Sequence, residues 1–426
     1  MNDREMKEFV EAAVRAAGTR DAVAVLTESR EASVRFGQNR ITQNLDVFRR
    51  ELKLTVGDGE RKATLTSQRI DMDALPAIAG EARSLLATAS PDPEYMPSVP
   101  GGAVYPVIHG AWDEYTAECP ASPRMDAVGK VIDRAEADGY QAAGICGMSS
   151  EQTAVSTSTG NTGFHRQTSS ALSFTMDQGR ASSYTSLSGT GWNEIAVEDA
   201  VNEVASRVAM NMDQKEVPPG EYKLILEPEA TWNLMMFLPW IMDARSADEG
   251  VSVFSGMEGK SVTGPEVTIS STLNGARPGQ PFNEEGLPAE DAVWIGNGVL
   301  KALPCDRYTA RTTGRKPLFI PGTLDMNGGA GSLDDLVAKV DRGILIRRFW
   351  YIRFVDQKSL KLTGMTRDGV FLVENGGITG ALSDFRWNWR PLDLFRKIEH
   401  LGAGVRKTYG TVPPLVIGRE RWPFTD

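Results

Sequence analysis

Five carboxylates flank one apolar stretch near the middle of this 426-residue chain. A pair of carboxylates can act as general acid and general base in a hydrolytic reaction. Glu227 and Glu229, however, fall in the first turn of a predicted helix, where acidic side chains complement the helix dipole. Asp243, Asp248 and Glu249 fall in a predicted polar loop. A structural role therefore accounts for all five, and acid–base catalysis is the alternative.

The potential metal ligands of the chain are scattered. Its three histidines lie far apart, in the predicted linker and in the second and third predicted domains, and its three cysteines include no CxxC pair. A zinc site needs several such ligands at short spacings or on neighbouring elements. The sequence therefore predicts structural or surface histidines, buried or inert thiols, and no zinc site in this chain. The residues concerned are His109, His165, His400, Cys119, Cys146 and Cys305.

Two other functional motifs are incomplete. Ser255 lies in an FSG sequence, but the chain has no GxSxG motif and no histidine near this serine in the sequence. The glycines at 328–331 lack the lysine and the spacing of a phosphate-binding loop. Ser332 and Asp335 are instead spaced as a capping box for a helix over residues 333–340.

Composition and charge narrow the class of protein. The net charge is −10 and the sequence pI is about 5.1, so nucleic acid is a disfavoured partner. A hydrophobic fraction of 41% suffices for extended cores. The start MNDREMKEF lacks a signal-peptide pattern, and Pro239 interrupts the longest apolar run, at residues 234–242. We therefore expect a cytoplasmic protein that does not span a membrane.

The central apolar stretch reads as a strand followed by a buried helix. Residues 222–226 are a short apolar run, and Pro228 is suited to the first turn of a helix. Trp232, Met235, Met236 and Pro239 follow at helical spacing. The pattern predicts a helix whose apolar side chains are buried.

The remaining pattern predicts an α+β fold that is rich in antiparallel sheet. Helices are predicted at 3–17, 73–89, 122–138, 197–212 and 391–401. Leu85 and Met212 are among their predicted core residues. Strands of the middle region are predicted at 141–148, 152–158, 164–176 and 181–187. The proline-rich segment 90–110 is predicted to be a linker that packs on the surface of a neighbouring domain. The predicted domains are residues 1–90, residues 111–215 and a strand-rich domain at 221–426.

Two groups of residues on predicted strands have alternative interpretations. The Asn and Gln side chains of RFGQNRITQN, at 35–44, are expected to bond nearby backbone groups, with peptide binding as the alternative. An aromatic group alternates at strand spacing, so half of it is expected in the core and half at an interface. This group comprises Phe349, Trp350, Tyr351, Trp387 and Trp389.

Three segments of the chain resemble the TldD/PmbA (TldE) family of metallopeptidase subunits. They are RFGQNRITQN, GVSVFSGMEGK at 250–260, and the region from GILI at 343 through ENGGIT. Metal-bearing members of that family carry an HExxxH helix and a cysteine in a glycine-rich tail. Counted back from Gly250, the motif positions fall near Met235, Met236 and Trp240, and Tyr409 is the nearest polar candidate in a tail without cysteine. The resemblance therefore implies a member that lacks the metal motif.

The resemblance also implies a function. The chain is expected to be the metal-free subunit of a cytoplasmic peptidase that degrades unfolded or small peptides. Zinc is then expected in a homologous partner subunit of a heterodimer, with no cofactor and no catalytic residue assigned in this chain. The alternatives are a self-sufficient hydrolase and a homodimeric protein that binds peptides without cutting them.

Overall fold

The computed structural model describes residues 1–425, and its first part consists of long strands with helices on one face. The helices are α1 (Asp3–Ala17), α2 (Leu75–Thr88), α3 (Glu114–Glu118), α4 (Ser122–Ala137) and α5 (Val197–Met210). The strands are β1 (Asp21–Gly37), β2 (Arg40–Gly57), β3 (Lys62–Ser67), β4 (Gln141–Thr157), β5 (Thr162–Gln178) and β6 (Ala181–Gly189). These strands form one antiparallel sheet in the order β3-β2-β1-β4-β5-β6.

The second part begins with a strand and contains more, shorter elements. Its helices are α6 (Pro228–Met235), α7 (Ala244–Asp248), α8 (Arg307–Thr313), α9 (Leu333–Val337) and α10 (Pro391–Phe395). Its first strands are β7 (Glu221–Leu226), β8 (Ile269–Ser271), β9 (Ala292–Gly296), β10 (Val299–Leu300) and β11 (Asp325–Met326). The later strands are β12 (Arg342–Asp356), β13 (Lys361–Glu374), β14 (Gly377–Ala381), β15 (Arg386–Trp389), β16 (Ile398–Leu401), β17 (Val405–Lys407), β18 (Gly410–Val412) and β19 (Leu415–Arg421).

In the larger sheet of the second part, the central apolar strand β7 has a neighbouring strand on each side. The order of this sheet is β14-β13-β12-β7-β19-β16, with β15 also paired to β13. The β7–β12 pair is parallel, and the other pairs are antiparallel. Strands β8–β11 form a second sheet, and β17 pairs with β18. The α+β fold predicted from the sequence is confirmed.

The helices of the first part were well predicted because their apolar stripes face one sheet. Met6, Phe9 and Val10 of α1 are fully or almost fully buried, and Gly18 ends the helix at φ 59°. The prediction that Leu85 and Met212 are core residues is wrong. Both are exposed, and Met212 lies beyond the end of α5. Among the described residues, no helix is long and apolar enough to cross a membrane.

Several predicted elements have different bounds in the structure. The strands predicted at 141–148 and 152–158 form one strand, β4, because β1 pairs along its length from Thr157 to Gly144. The predicted helix 391–401 ends at Phe395, and Ile398–Leu401 become β16 because β19 offers them a pairing edge. Helix α9 ends at Val337 rather than 340, while its predicted Ser332–Asp335 capping box is confirmed.

The predicted domain ranges 1–90, 111–215 and 221–426 remain predictions. The structure shows that the first two ranges contribute strands to a single sheet through the β1–β4 pair. The segment between them packs against both parts of the molecule: the Tyr95 hydroxyl donates to Asp21 at 2.6 Å, and the Tyr105 ring lies 5.0 Å from that of Phe282.

The tip of the β1–β2 hairpin explains one polar group of the sequence. Gln38 and Asn39 both adopt positive φ, at 51° and 56°. The Asn39 side chain donates to the Tyr140 carbonyl at 2.9 Å and accepts from the Ala142 amide at 2.6 Å. The Asn39 amide thus bonds backbone groups, as predicted, but these belong to the distant start of β4 and not to its own hairpin.

A buried ionic cluster joins the two parts of the molecule. Glu227, at the start of α6, accepts hydrogen bonds from Arg207 of α5 and Arg347 of β12. Arg347 also donates to the Tyr184 carbonyl of β6 at 2.8 Å and to Glu203 at 3.2 Å. Glu227 and Arg347 are both buried. The cluster therefore fixes β6 and α5 of the first part against the β7–α6 junction of the second.

We expect Glu227→Gln to destabilise the protein strongly, by about 3 kcal/mol, because it leaves Arg207 and the buried Arg347 with the half-exposed Glu203 as their only carboxylate partner among the described residues. The measurement is the free energy of unfolding from urea titration. Glu249→Gln is the matched control, since Glu249 pairs with Arg245 at 3.0 Å in an exposed position. A loss in Glu227→Gln no larger than in this control would contradict the structural role of the cluster.

Candidate functional site

A cavity of about 820 Å³ lies where the end of α6 meets β12. Its wall is formed by the turn after α6, by residues 348–353 of β12, by residues 407–409, and by Tyr184 and Ser186 of β6. The cavity thus lies where the first and second parts of the molecule meet. Pockets of about 300–1,000 Å³ that combine apolar walls with a few polar groups are typical of binding sites.

Two of the three positions to which the resemblance mapped the HExxxH motif line this cavity. Met236 and Trp240 line it together with Tyr409, and the exposed fractions of Trp240 and Tyr409 are 73% and 59%. Met235, by contrast, is fully buried in the core. The prediction of a continuous buried helix through Pro239 is wrong, because α6 ends at Met235 and the following turn carries Met236 and Trp240 into the cavity.

The side chains in the cavity do not fit a zinc ion. Zinc in proteins prefers histidine nitrogen, cysteine sulfur and carboxylate oxygen. Here the mapped positions offer a thioether, an indole and a phenol, and none of the histidines or cysteines lines the cavity. Its one carboxylate, Glu229, forms an ion pair with Lys407 at 2.6 Å. Within residues 1–425, no three His, Cys, Asp or Glu side chains are grouped as a metal site.

Glu229 is held by neighbours as well as by its ion pair. The Asn233 amide donates to Glu229 at 3.2 Å and accepts from the Phe349 backbone amide of β12 at 2.9 Å. Lys407 comes from β17, far away in the sequence. Burial, together with the negative charge of Glu229, raises the pKa of the nearby Tyr184 hydroxyl. Tyr184 is therefore a neutral phenol at physiological pH.

The edge of β12 that is not paired with β13 borders the cavity. Six consecutive residues, 348–353, line the cavity. β7 pairs with β12 only from Gly343 to Ile346, so residues 347–356 have a strand partner on the β13 side alone. The cavity is thus bordered by an open sheet edge.

An irregularity in β12 brings two adjacent aromatic residues to the cavity. The pairing with β13 shifts between Trp350 and Arg353, and Tyr351 has a φ of 53°, which is rare for a bulky residue. Trp350 and Tyr351 are 46% and 66% exposed although they are neighbours. Phe349, Trp387 and Trp389 are buried and stack in the core, so the predicted core half of the aromatic group is confirmed.

The cavity carries positive charge on its aromatic walls. The Arg353 guanidinium lies 4.3 Å from the ring centre of Tyr351, and Arg348 lies 3.8 Å from that of Tyr184. Arg348 also pairs with the buried Asp368. Arg353 forms no ion pair with any carboxylate of the described chain and donates only to the Ile352 carbonyl, at 2.8 Å. Sequence analysis did not single out Arg348, Arg353, Lys407 or Tyr184, since only folding brings these segments together.

The other candidate carboxylates and Ser255 have structural partners. Glu227 belongs to the buried cluster and makes no capping bond to α6, so the helix-dipole explanation is incomplete for it. Asp243 caps α7 through the Ser246 amide at 2.8 Å. Asp248 pairs with Arg315, and the Ser255 hydroxyl donates to the Ser252 carbonyl at 2.8 Å. The structure does not bring these residues together as a catalytic group.

The histidines are dispersed, and the cysteines are buried. His109 lies on the linker, His165 on β5 and His400 on β16. All three cysteines are free and buried, which confirms the prediction of buried thiols. Burial raises the pKa of the Cys146 thiol to about 12 and that of Cys305 to about 11. Neither is a reactive thiolate at neutral pH.

Comparison with known proteins shows that the second part of the chain is similar to a domain of a peptidase family. Residues 219–420 match the PmbA/TldA metallopeptidase C-terminal domain. A protein of Buchnera aphidicola named as a metalloprotease TldD homolog is 26% identical over 235 residues, which are 51% of this chain and 48% of that protein. The chain spans about half the length of the curated relatives that it matches here.

Solved structures match over nearly the whole chain. TldE from Thermococcus kodakarensis superposes with a TM-score of 0.88 at 16% identity, over 98% of this chain and 99% of that one. A protein of Thermotoga maritima, whose name refers to modulation of DNA gyrase, gives 0.86 at 20% identity with the same coverage. At these identities the likeness establishes the fold. The chain therefore has the fold of these proteins, and its residues 219–420 are similar to the C-terminal domain of the PmbA/TldA metallopeptidase family.

The partly buried side chain of His165 predicts how the stability of the protein depends on pH. Burial lowers its pKa to about 4, and its Nε2 atom has no hydrogen-bond partner among residues 1–425. Below the unfolded pKa, near 6.5, the unfolded chain binds a proton that the folded chain rejects, so stability falls as pH drops from about 6.5 to about 4. We expect His165→Gln to remove up to about 3 kcal/mol of this loss.

The measurement for His165 is urea unfolding across that pH range. The exposed His109→Gln is the control and should leave the pH dependence unchanged. If His165→Gln has the same pH slope as the wild-type protein, the folded protein accepts a proton at this site and the explanation is wrong.

Proposed function

We propose that this chain is the metal-free subunit of a cytoplasmic TldD/PmbA-type metallopeptidase. The observation that carries the proposal is the composition of the cavity: it is lined by Met236 and Trp240, two of the three positions mapped to HExxxH, and by Tyr409, and none of them is a zinc ligand. The family match at residues 219–420 supports a role in proteolysis. The chemistry of peptide cleavage then belongs to a partner.

The proposed partner is a homologous subunit that bears HExxxH and zinc. Two chains of the same fold can associate around a pseudo-twofold axis, which places equivalent surfaces opposite each other. The proposed substrate class is unfolded or small peptides. This chain contributes sheet edges that hold an extended peptide through main-chain hydrogen bonds, a mode of binding that is largely independent of sequence.

The two alternatives differ in what the isolated chain does. A self-sufficient hydrolase would need a free carboxylate or a metal, but Glu229 is paired with Lys407 and the acids around it have structural partners. A homodimeric binding protein would hold peptides without cutting them. The open edge of β12 is compatible with this second alternative as well as with the proposal.

The test is metal content and peptidase activity of the purified chain, alone and mixed with an HExxxH-bearing relative from the same source. We expect the lone chain to be inactive on an unfolded peptide and to lack stoichiometric zinc, and the mixture to cleave. A relative with both motif histidines changed to alanine is the control and should abolish cleavage by the mixture.

Other results would decide between the alternatives. Cleavage by the lone chain that is lost in Glu229→Gln would support the self-sufficient hydrolase. Stoichiometric zinc in the lone chain would show that the mapped positions are wrong. Peptide binding by a homodimer, with no gain of activity from the relative, would support the binding protein.

A further inference from the structure

We propose that the cavity beside β12 selects its peptide: it binds an extended segment as an added strand and prefers an aromatic or large aliphatic side chain close to a carboxylate. This inference rests on the proposed function, because it takes a peptide as the ligand. It goes further by assigning the binding to this chain's own cavity and by naming the residues that choose the sequence.

The main-chain part of the site is the open edge of β12. Beyond Ile346 the strand has no partner on the α6 side, apart from the bond between the Phe349 amide and Asn233. Residues 350–353 line the cavity, and apart from the Ile352 carbonyl, which accepts from the Arg353 guanidinium, the backbone groups that they turn to it are available to a peptide. Addition of a strand to such an edge is a common mode of peptide recognition. The edge thus fixes the direction and depth of an extended segment.

The apolar part of the site is a set of exposed aromatic rings around this edge. Trp240, Trp350, Tyr351 and Tyr409 all line the cavity, and each exposes 46–73% of its surface. Large apolar groups concentrated at one exposed place mark a binding surface. The positive φ of Tyr351 is a second, independent sign, because strained backbone of this kind clusters at functional sites. Flat rings favour aromatic or large aliphatic side chains of the ligand.

The charge of the cavity selects for an acidic group. Lys407 is neutralised by Glu229, and Arg348 by Asp368. Arg353, exposed and stacked on Tyr351, remains without a carboxylate partner in the described chain. A guanidinium binds a carboxylate through paired hydrogen bonds. The carboxylate can be an acidic side chain or the peptide's own C-terminus, since both present the same group.

The probes are synthetic peptides of about ten residues with a serine- and threonine-rich background, measured by titration calorimetry. The first carries one Phe and one Glu two positions apart, so that both point to the same side of a strand. The second replaces Phe by Ser, and the third replaces Glu by Lys. The fourth is the third peptide with a free C-terminal carboxylate in place of the blocked C-terminus of the others. A fifth repeats the first with alternate backbone amides methylated, which removes main-chain donors.

We expect the first peptide to bind roughly tenfold more tightly than the second or the third. The methylated peptide should not bind measurably. Tight binding of the fourth peptide identifies the C-terminal carboxylate as the preferred source of charge, whereas weak binding identifies the acidic side chain. Equal affinity for the first three peptides would overturn the proposed selectivity.

Variants of the chain separate the two contacts. Trp240→Ala should weaken binding of the first peptide by roughly tenfold. Arg353→Gln should abolish the preference for Glu over Lys while keeping the preference for Phe over Ser, a pattern that unfolding would not produce. Phe48→Ala is the matched control, because Phe48 is also an exposed ring stacked by an arginine, Arg50 at 5.1 Å, but lies outside the cavity on β2.

The outcomes distinguish this inference from the proposed function. If the mixture with the zinc-bearing relative cleaves peptides but this chain binds none of them, the inference fails and the function stands. If this chain binds as expected but adds no activity, the peptide site stands and the function fails. If Trp240→Ala changes the oligomeric state and not the peptide affinity, a protein chain covers the cavity and the inference is wrong.

Discussion

The position of the cavity depends on the buried cluster around Glu227. This carboxylate follows β7 directly and holds two arginines, one from the first part of the molecule and one from β12. Separating the two parts would leave buried charges without their partners, which is strongly destabilising, so the cluster favours the observed arrangement. Through the bond from Arg347 to the Tyr184 carbonyl, it also fixes β6, which contributes Tyr184 and Ser186 to the cavity wall.

A second constraint acts within β12. The strand must bury Phe349 and Ile352 in the core and yet present Trp350 and Tyr351 to the cavity. Regular alternation cannot place two neighbouring side chains on the same side, and the register shift with the positive φ of Tyr351 resolves the conflict. The strained conformation costs on the order of 1–3 kcal/mol, which the packing of Phe349 against Trp387 and Trp389 helps to offset.

The sequence predicted elements best where local pattern and packing agree. Helix α1 has its predicted bounds because its apolar stripe, the Asn2 cap and Gly18 all indicate the same ends. Residues 398–401 were predicted as helix, but pairing with β19 decides their structure and lies outside any local pattern. The mapping by resemblance located Met236, Trp240 and Tyr409, whereas Lys407 and Arg353 had no local signal because their roles arise from contacts between distant segments.

A peptidase site must both bind a peptide and cleave it, and the cavity offers groups for binding but none for zinc-dependent cleavage. Cleavage needs particular side chains at particular distances, and replacing them by Met236 and Trp240 leaves no donor set for zinc. Binding of an extended peptide needs backbone amides and carbonyls, which every residue except proline supplies in full. The open edge of β12 therefore depends on the sheet and on the end of its pairing with β7 at Ile346, and not on the side chains of α6. A chain with this fold can keep the peptide-holding edge whichever residues occupy the mapped metal positions.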